Sequence, residues 1–438
     1  MSDPARQLYE RVHADTNQCI QCGYCLPSCP TYTSMGKESA SPRGRINLVK
    51  MAAEGKIHVT NDLAEPLDLC LGCRACEVAC PVNVPYGHIL EEAKEAIAQA
   101  QTAESLTWKE KGKRFVLKHV FPYYKRLQGL GYLMWFYQKS PLPFLLRKTK
   151  LLETVSEPLA WFEKALPAVE NPLKKPKRGG VIPPEGQKKA RVALFTGCIT
   201  DTLMSRTNRL TIELLSKVGC EVVIPPQQTC CGALHAHQGT TEMAKALAKA
   251  NLAAFEAVEA DYYVNNAGGC GAMLREYDRL LASDEDWGLR AERFVAKVRD
   301  ISELLVHFGP LPFQKKIEGV ITYQDSCHLR NVQGVFQEPR ELLRSIPGAR
   351  FVEFTGSERC CASGGIYNLL HYDESMAILE EKMGSVQQSQ AQVIVTSNPG
   401  CLLQMRLGVL KFGQPAKMRA VHLVDVLAEA CGLTEKEV

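Results

Sequence analysis

No stretch of the 438 residues supplies the roughly 20 apolar residues that a membrane-spanning helix needs. The longest apolar run, GLGYLMWFY at 129–137, stops far short. There is no G-x-G-x-x-G after a strand pattern, no phosphate loop and no H-E-x-x-H, so dinucleotide, nucleotide and zinc-protease signatures are missing. Charge of one sign is scarce too: 52 Lys and Arg stand against 48 Asp and Glu, a net of +4. With no basic stripe interleaved with aromatics, nucleic acid is set aside as a partner. The opening MSDPARQLYE lacks a basic and apolar leader, so a reducing cytosol is the expected compartment. A 45% hydrophobic share with 23% charge describes an ordinary globular chain of two to four domains. What is abundant is cysteine, with 18 residues. In a reducing compartment these are metal ligands sooner than cross-links.

Eight of them fall in two runs, NQCIQCGYCLPSCP (Cys19, Cys22, Cys25, Cys29) and LDLCLGCRACEVACP (Cys70, Cys73, Cys76, Cys80). The spacing C-x2-C-x2-C-x3-C-P is the ferredoxin run for a [4Fe-4S] cluster, in which three thiolates wrap one cube and the fourth serves the other cluster. The expected ligand sets are therefore Cys19, Cys22, Cys25 and Cys80 for the first cluster, and Cys70, Cys73, Cys76 and Cys29 for the second. Structural zinc favours two C-x2-C pairs with a long gap, which is not the pattern here. Between the runs, PRGRINLVKMAAEG reads as a helix opened by Pro42 and ended near Gly55. Arg43 and Arg45 on it are candidates for steadying the negative clusters, against the commoner reading of exposed arginines at a helix start.

Residues 171–188, rich in Pro, Gly and Lys, read as an exposed linker. Beyond it the chain repeats itself. The first copy carries Cys198, the pair Cys230 and Cys231, and Cys270; the second carries Cys327, the pair Cys360 and Cys361, and Cys401. Corresponding cysteines lie 129, 130 and 131 positions apart. Each follows a short β-branched or aromatic run and precedes a helical pattern, which places it at the end of a strand in a mostly parallel sheet. Sites form there, outside the carboxyl ends of strands. His235, His237 and His328 beside these cysteines are candidate ligands or proton carriers; satisfied surface or core histidines are the commoner reading for His235 and His237, whereas for His328, directly after Cys327, the two readings stand level. Cys220 and Cys431 have no counterparts in the repeat and read as structural.

The segments QCGYCLPSCPTY, SPRGRINLVK, CLGCRACEVACP, DSCHLRNVQGV and CCASGGIYNLL resemble the iron-sulfur subunit of glycolate oxidase, and the repeats resemble the cysteine-rich CCG domains of heterodisulfide reductase subunits. The resemblance implies an α+β chain: a helical two-[4Fe-4S] ferredoxin domain at 1–103, a basic aromatic helical segment and linker at 104–188, and CCG domains at 189–309 and 310–438. Two departures stand out. Met273 and Gln404 replace the last cysteine of the fullest CCG pattern, leaving four candidate thiols per site. In the second copy CCG has become Cys360-Cys361-Ala362, so the need for a glycine's positive φ is expected to be relaxed or passed to Gly364 and Gly365. Further iron-sulfur clusters, zinc or an empty thiol pair all remain open at the CCG sites.

A chain with two clusters and no organic cofactor site needs a donor and an acceptor. The resemblance implies a partner flavoprotein oxidising glycolate to glyoxylate and a membrane quinone beyond, with the subunit cytoplasmic or peripheral on the inner face of the membrane. Alternatives are the equivalent subunit of a lactate or glycerol-3-phosphate dehydrogenase, a heterodisulfide-reductase-like thiol/disulfide enzyme, and a non-redox scaffold with structural metals. Between residues 104 and 180, 16 Lys and Arg face 6 Asp and Glu, and Trp108, Trp135 and Trp161 lie there too. Packing on a partner or on the chain's own core is the preferred reading of this segment, and an amphipathic surface on anionic lipid is the alternative.

Overall fold

The computed structural model describes residues 4–101 and 108–433. The expected boundary at 103/104 lies outside them. The chain forms two compact units, each discontinuous in sequence: unit 1 is Met1–Val120, Gly232–Ala246 and Arg359–Ile378, and unit 2 is Phe121–Cys231, Leu247–Glu358 and Leu379–Val438.

Unit 1 is helical. Helices Pro4–Asn17, Pro42–Ala53 and Tyr86–Ala100 pack around Leu8, Val12, Ile46, Val49, Ile89 and Ala93. The middle helix starts where its sequence says it should. Ser41 accepts the Gly44 N–H at 2.9 Å as an N-cap, and Pro42 fills the first position, where a missing N–H costs nothing. Cys19, Cys25, Cys70 and Cys80 pack against this core from its edge, and Cys76 is inside it.

Unit 2 holds two sheets. The first contains β1 (Val181–Ile182), β2 (Ala190–Leu194), β3 (Cys220–Val223), β4 (Tyr262–Asn265) and β5 (Val298–Asp300), ordered β1-β3-β2-β4-β5. The second contains β6 (Gly319–Tyr323), β7 (Ala349–Phe351), β8 (Val393–Thr396) and β9 (Arg419–His422), ordered β7-β6-β8-β9. Apart from β1, which pairs antiparallel with β3, all strands run parallel. The orders β3-β2-β4-β5 and β7-β6-β8-β9 are the same topology built twice. In each, the chain leaves the first strand to one side and returns on the other, making a switch point at the carboxyl ends. The sheets share one core, with Val192, Leu194, Val264, Ile321, Tyr323 and Val393 all buried in it. Cys220 and Cys431 are members of that core.

Two expectations change. Residues 171–188 are not simply an exposed linker: β1 adds to the sheet edge, and Lys175 and Arg178 are largely buried, Arg178 stacking 3.4 Å over the Tyr124 ring. A two-residue strand and two buried cations leave no apolar periodicity to read. The left-handed backbone at the second CC pair is neither relaxed nor moved. Ala362 itself has φ +65°, where Gly232 in the first copy has φ +91°, and Gly364 and Gly365 are left-handed as well. Ala362 is held there because it is fully buried and its carbonyl accepts the Ser375 hydroxyl at 2.9 Å.

The basic aromatic segment is helical at Trp108–His119, Tyr124–Lys139, Leu142–Lys148, Leu151–Val155 and Glu157–Ala165. Its apolar residues divide: Leu117, Leu127, Ala160 and Ala165 are buried, as packing on the chain's own core requires, while others stay outside. Leu130, Leu133 and Phe136, one stripe at three-residue spacing, face solvent, as do Phe144, Leu145 and Val155. No helix among the described residues is long and apolar enough to cross a membrane.

Candidate metal centres

In unit 1 the two cysteine runs follow the same backbone path. The residue before the second cysteine and the residue after it have positive φ in both: Gln21 and Gly23 around Cys22, Gly72 and Arg74 around Cys73. Left-handed residues in this pattern turn successive N–H groups to one side, a concavity suited to anions. Several donors reach the sulfurs: Gly72 N–H to Cys70 at 3.4 Å, Val84 N–H to Cys80 at 3.4 Å and the Gln21 amide to Cys19 at 3.5 Å. Only the glycines at 23 and 72 hinted at this in the sequence; Gln21 and Arg74 carried no signal.

Two cavities result. One is lined by Cys19, Cys22, Cys25 and Cys80. The other is lined by Cys29, Cys70 and Cys73. Cys76 borders both. Each run thus sends its fourth cysteine to the cavity of the other run. The surroundings of the second cavity suit a negatively charged group. Arg45, 1% exposed, donates to Thr31 Oγ1 at 3.1 Å and reaches Cys29 Sγ at 4.0 Å, while its Nη2 is buried without a partner. A guanidinium stays charged, and burying it without a counter-charge is expensive, so a bound anionic cluster with thiolate ligands fits the space it faces. The Tyr86 hydroxyl donates to Cys70 Sγ at 3.3 Å. Burial pushes the Cys70 thiol up, but Arg45, Tyr86 and the Gly72 N–H together outweigh it and hold Cys70 below the ordinary thiol range. Cys76 has no such help, and burial drives it well up.

The first repeat brings its four cysteines together within unit 2. Cys198 follows β2, Cys230 and Cys231 follow β3, and Cys270 sits on helix Gly268–Arg275 after β4. The Cys198 and Cys230 sulfurs are 3.7 Å apart, and Cys231 hydrogen-bonds to both Cys230 and Cys270. The CC backbone is clamped: Asn251 accepts the Thr229 N–H at 2.8 Å and donates to the Cys230 carbonyl at 3.0 Å, and the Tyr277 hydroxyl donates to the Cys231 carbonyl at 2.8 Å. Hydrogen bonding to Cys230 and burial drive the Cys198 thiol well up, and hydrogen bonding to Cys230 and Cys270 with burial does the same for Cys231, so these two stay protonated unless a cation replaces the protons. Beside them a small cavity is lined by Phe121, Tyr124 and Arg178. Lys175 and Arg178 each lie 3.9 Å from Asp201, too far to offset desolvation. Burial pushes both cations down and Asp201 up.

The second repeat is distributed differently. Cys327 opens helix Cys327–Asn331 and Cys401 lies on helix Pro399–Phe412, both in unit 2. His328 Nδ1 is 4.0 Å from Cys327 Sγ, and Asn398 donates to Cys401 Sγ at 3.6 Å. Cys360 and Cys361 belong to unit 1, where the Cys360 thiol hydrogen-bonds to Cys73. His235 and His237 face other partners in unit 1: His235 Nε2 meets the Leu117 carbonyl at 2.9 Å, and His237 meets Glu91 at 3.3 Å. The buried Met273 and Gln404 occupy helices beside Cys270 and Cys401.

Residues 15–84 match the 4Fe-4S dicluster domain family, and residues 192–275 and 321–406 match the cysteine-rich domain family. Residues 108–166 match the linker region of the glycolate oxidase iron-sulfur subunit. The chain is 47% identical over 421 residues to the probable glycolate oxidase iron-sulfur subunit of Bacillus subtilis (strain 168), covering 94% of each. It belongs to the glycolate oxidase iron-sulfur subunit family. The glycolate oxidase iron-sulfur subunit of Escherichia coli (strain K12) is 30% identical over 415 residues, covering 92% of this chain and 93% of that one. Lactate utilization protein A of Exiguobacterium sp. (strain ATCC BAA-1283 / AT1b) is 34% identical over 239 residues, 54% of this chain and 97% of its own. As a member of the glycolate oxidase iron-sulfur subunit family, the chain is an α+β electron-transfer subunit with two iron-sulfur centres.

Proposed function

We propose that this subunit takes electrons from a partner flavoprotein that oxidises glycolate to glyoxylate and passes them toward a membrane quinone. The observation that carries this reading is the linker: residues 108–166 match a segment named for glycolate oxidase, and similarity to the two glycolate oxidase subunits runs through it. The lactate utilization relative matches only 54% of the chain, which favours glycolate over lactate. A bound [4Fe-4S] cluster supplies one-electron exchange. Cys19, Cys22, Cys25 and Cys80 hold one such cluster, and Cys29, Cys70, Cys73 and Cys76 the other. Cys198, Cys230, Cys231 and Cys270 hold a metal centre in the first CCG domain, and Cys327, Cys360, Cys361 and Cys401 are the candidates in the second. The domains run 1–103, 104–188, 189–309 and 310–438. The subunit is cytoplasmic and peripheral to the membrane, resting on the solvent-facing stripe of Leu130, Leu133 and Phe136, with the exposed Lys125, Arg126 and Lys139 on the same helix suited to anionic headgroups.

The test is co-purification of the full chain with its flavoprotein partner and assay of quinone reduction driven by glycolate, D-lactate, L-lactate or glycerol 3-phosphate. Glycolate is expected to support turnover best. A preference for any of the other three substrates would overturn the glycolate reading, and loss of two [4Fe-4S] signals in the purified subunit would overturn the cluster assignment.

A further inference from the structure

The two cysteine cavities of unit 1 differ in the charge built around them. Arg43 lines the first, but its guanidinium is paired with Glu38 at 2.7 and 3.3 Å and brings no net charge. Arg74 lines the second and is likewise compensated, by Glu77 at 2.6 Å. Arg45 is not. Its Nε donates to the Pro66 carbonyl at 2.7 Å and its Nη1 to Thr31, no carboxylate meets it among the described residues, and its Nη2 remains without a partner. Tyr86 borders both cavities, yet its hydroxyl donates to Cys70 on the second. Exposure differs in the opposite sense: Cys22 is exposed and Ile20, on the rim of the first cavity, is 63% exposed, whereas Cys29 and Cys73 are buried.

We propose that Arg45, assisted by Tyr86, is the tuning residue that makes the second cavity's centre the more easily reduced of the two, so that an electron received at the solvent-facing first cavity collects beside Cys73. Reduction adds one electron and no proton, and the site becomes more negative by one charge. A fixed cation and a hydroxyl donor at the sulfurs favour that state. Water at the first cavity's rim also favours added charge, but through mobile dipoles, whereas Arg45 stands as a whole charge already oriented in a shell of low polarity. Collection at the second cavity also brings the electron to the cysteine that touches Cys360. This rests on the proposed partition of the cysteines between the cavities.

The experiment is a redox titration of anaerobically purified full-length protein, with dithionite as reductant and electron paramagnetic resonance as readout. The signal altered by Cys22→Ser identifies the first centre. The second centre is expected to have the higher midpoint. Arg45→Gln should shift its reduction equilibrium at least tenfold toward the oxidised form, 59 mV for a one-electron couple, and leave the first midpoint in place. Arg45→Lys should recover most of that shift, and Tyr86→Phe should move the second midpoint the same way by less. A wild-type order that is reversed or level, or an Arg45→Gln protein in which neither midpoint moves or both move equally, would overturn the role. Should Arg45→Gln lose the second centre, the wild-type order and Tyr86→Phe decide by the same criteria. Iron content reports separately on the cluster assignment, because fewer than about eight iron per chain contradicts that assignment and not the tuning.

Discussion

The thiols of Cys73 and Cys360 share a hydrogen bond, joining the second cysteine run of the amino-terminal region to the CC pair of the second repeat inside one compact unit. Hydrogen bonds to cluster sulfurs are among the factors that set a cluster's potential. In the loaded protein Cys73 is a thiolate, so Cys360, where it carries no metal of its own, is the donor, and Cys360→Ser replaces its weak S–H with a stronger O–H donor. The expected outcome is a changed resonance signal and midpoint for the second cluster, an unchanged first cluster, and full iron content in both. Cys431→Ser, in a helix-end core position, serves as the control and should change neither. An unaltered second cluster in Cys360→Ser would mean that this contact is not made in the loaded protein.

Crossing of the fourth ligands is checked by Cys29→Ser and Cys80→Ser. Cys29 lines the cavity of Cys70 and Cys73, and Cys80 that of Cys19, Cys22 and Cys25. Each serine should therefore damage the cluster of the other run. The first is expected to bleach or convert the second cluster's signal, and the second to do the same to the first. Damage confined to the nearer cluster in both variants would refute the exchange.

Ala362 holds φ +65° at the position where the first repeat has glycine. A left-handed conformation costs an L-residue roughly 1–2 kcal/mol, and glycine escapes that cost while losing about 0.5–1 kcal/mol of backbone entropy on folding. Ala362→Gly should leave stability unchanged or raise it by up to about 1 kcal/mol. Ala362→Val, β-branched and fully buried, should lower it by several times as much, and thermal melting under anaerobic conditions will separate the two. A glycine variant less stable than the valine one would show that the strain is not there.

Asp300 ends β5 and caps helix Ile301–Phe308, accepting the Ser302 N–H at 2.9 Å, yet it is fully buried and its second carboxylate oxygen has no partner. Burial pushes it up from 3.8 to about 7, against the Ser302 hydrogen bonds. With the folded value above the unfolded one, the folded chain keeps a proton that the unfolded chain has released. This group's contribution to stability therefore falls as pH rises from about 4 to about 7 and is level above that. Asp300→Asn keeps the cap acceptor without the charge. Melting temperature should decline between pH 5 and 8 in the wild type and decline less in the variant. Equal slopes would locate the pH dependence elsewhere.

Parts of the site were legible because they are local. Three cysteines within seven residues meet wherever the chain makes two tight turns, so the spacing at Cys19, Cys22 and Cys25 is nearly a statement of geometry. The doubled CCG pattern was legible for a related reason. A cysteine just past a β-branched run must sit at a strand end, and two copies of the same strand order follow from two copies of the same alternation. Local signals failed where the chain breaks its own rules of thumb, as at Gln21, Arg74 and Ala362, which take conformations that glycine usually marks.

By itself the sequence determined the number and kind of thiols, their grouping by run and by repeat, the α+β character, and the lack of any apolar run long enough to cross a membrane. The tertiary structure alone decided which distant groups meet. Arg43 and Arg45 stand two residues apart on one helix, so both look alike along the chain, yet one lies against Glu38 at the surface and the other is sealed against Cys29 and Thr31. Lys175 and Arg178 look like linker and are buried beside Asp201. Cys360, paired in sequence with the strands of unit 2, reaches Cys73 in unit 1. Spacing encodes what a few turns of backbone bring together. Which charge loses its counter-ion, and which thiol finds a partner from elsewhere in the chain, depends on packing between segments far apart in sequence.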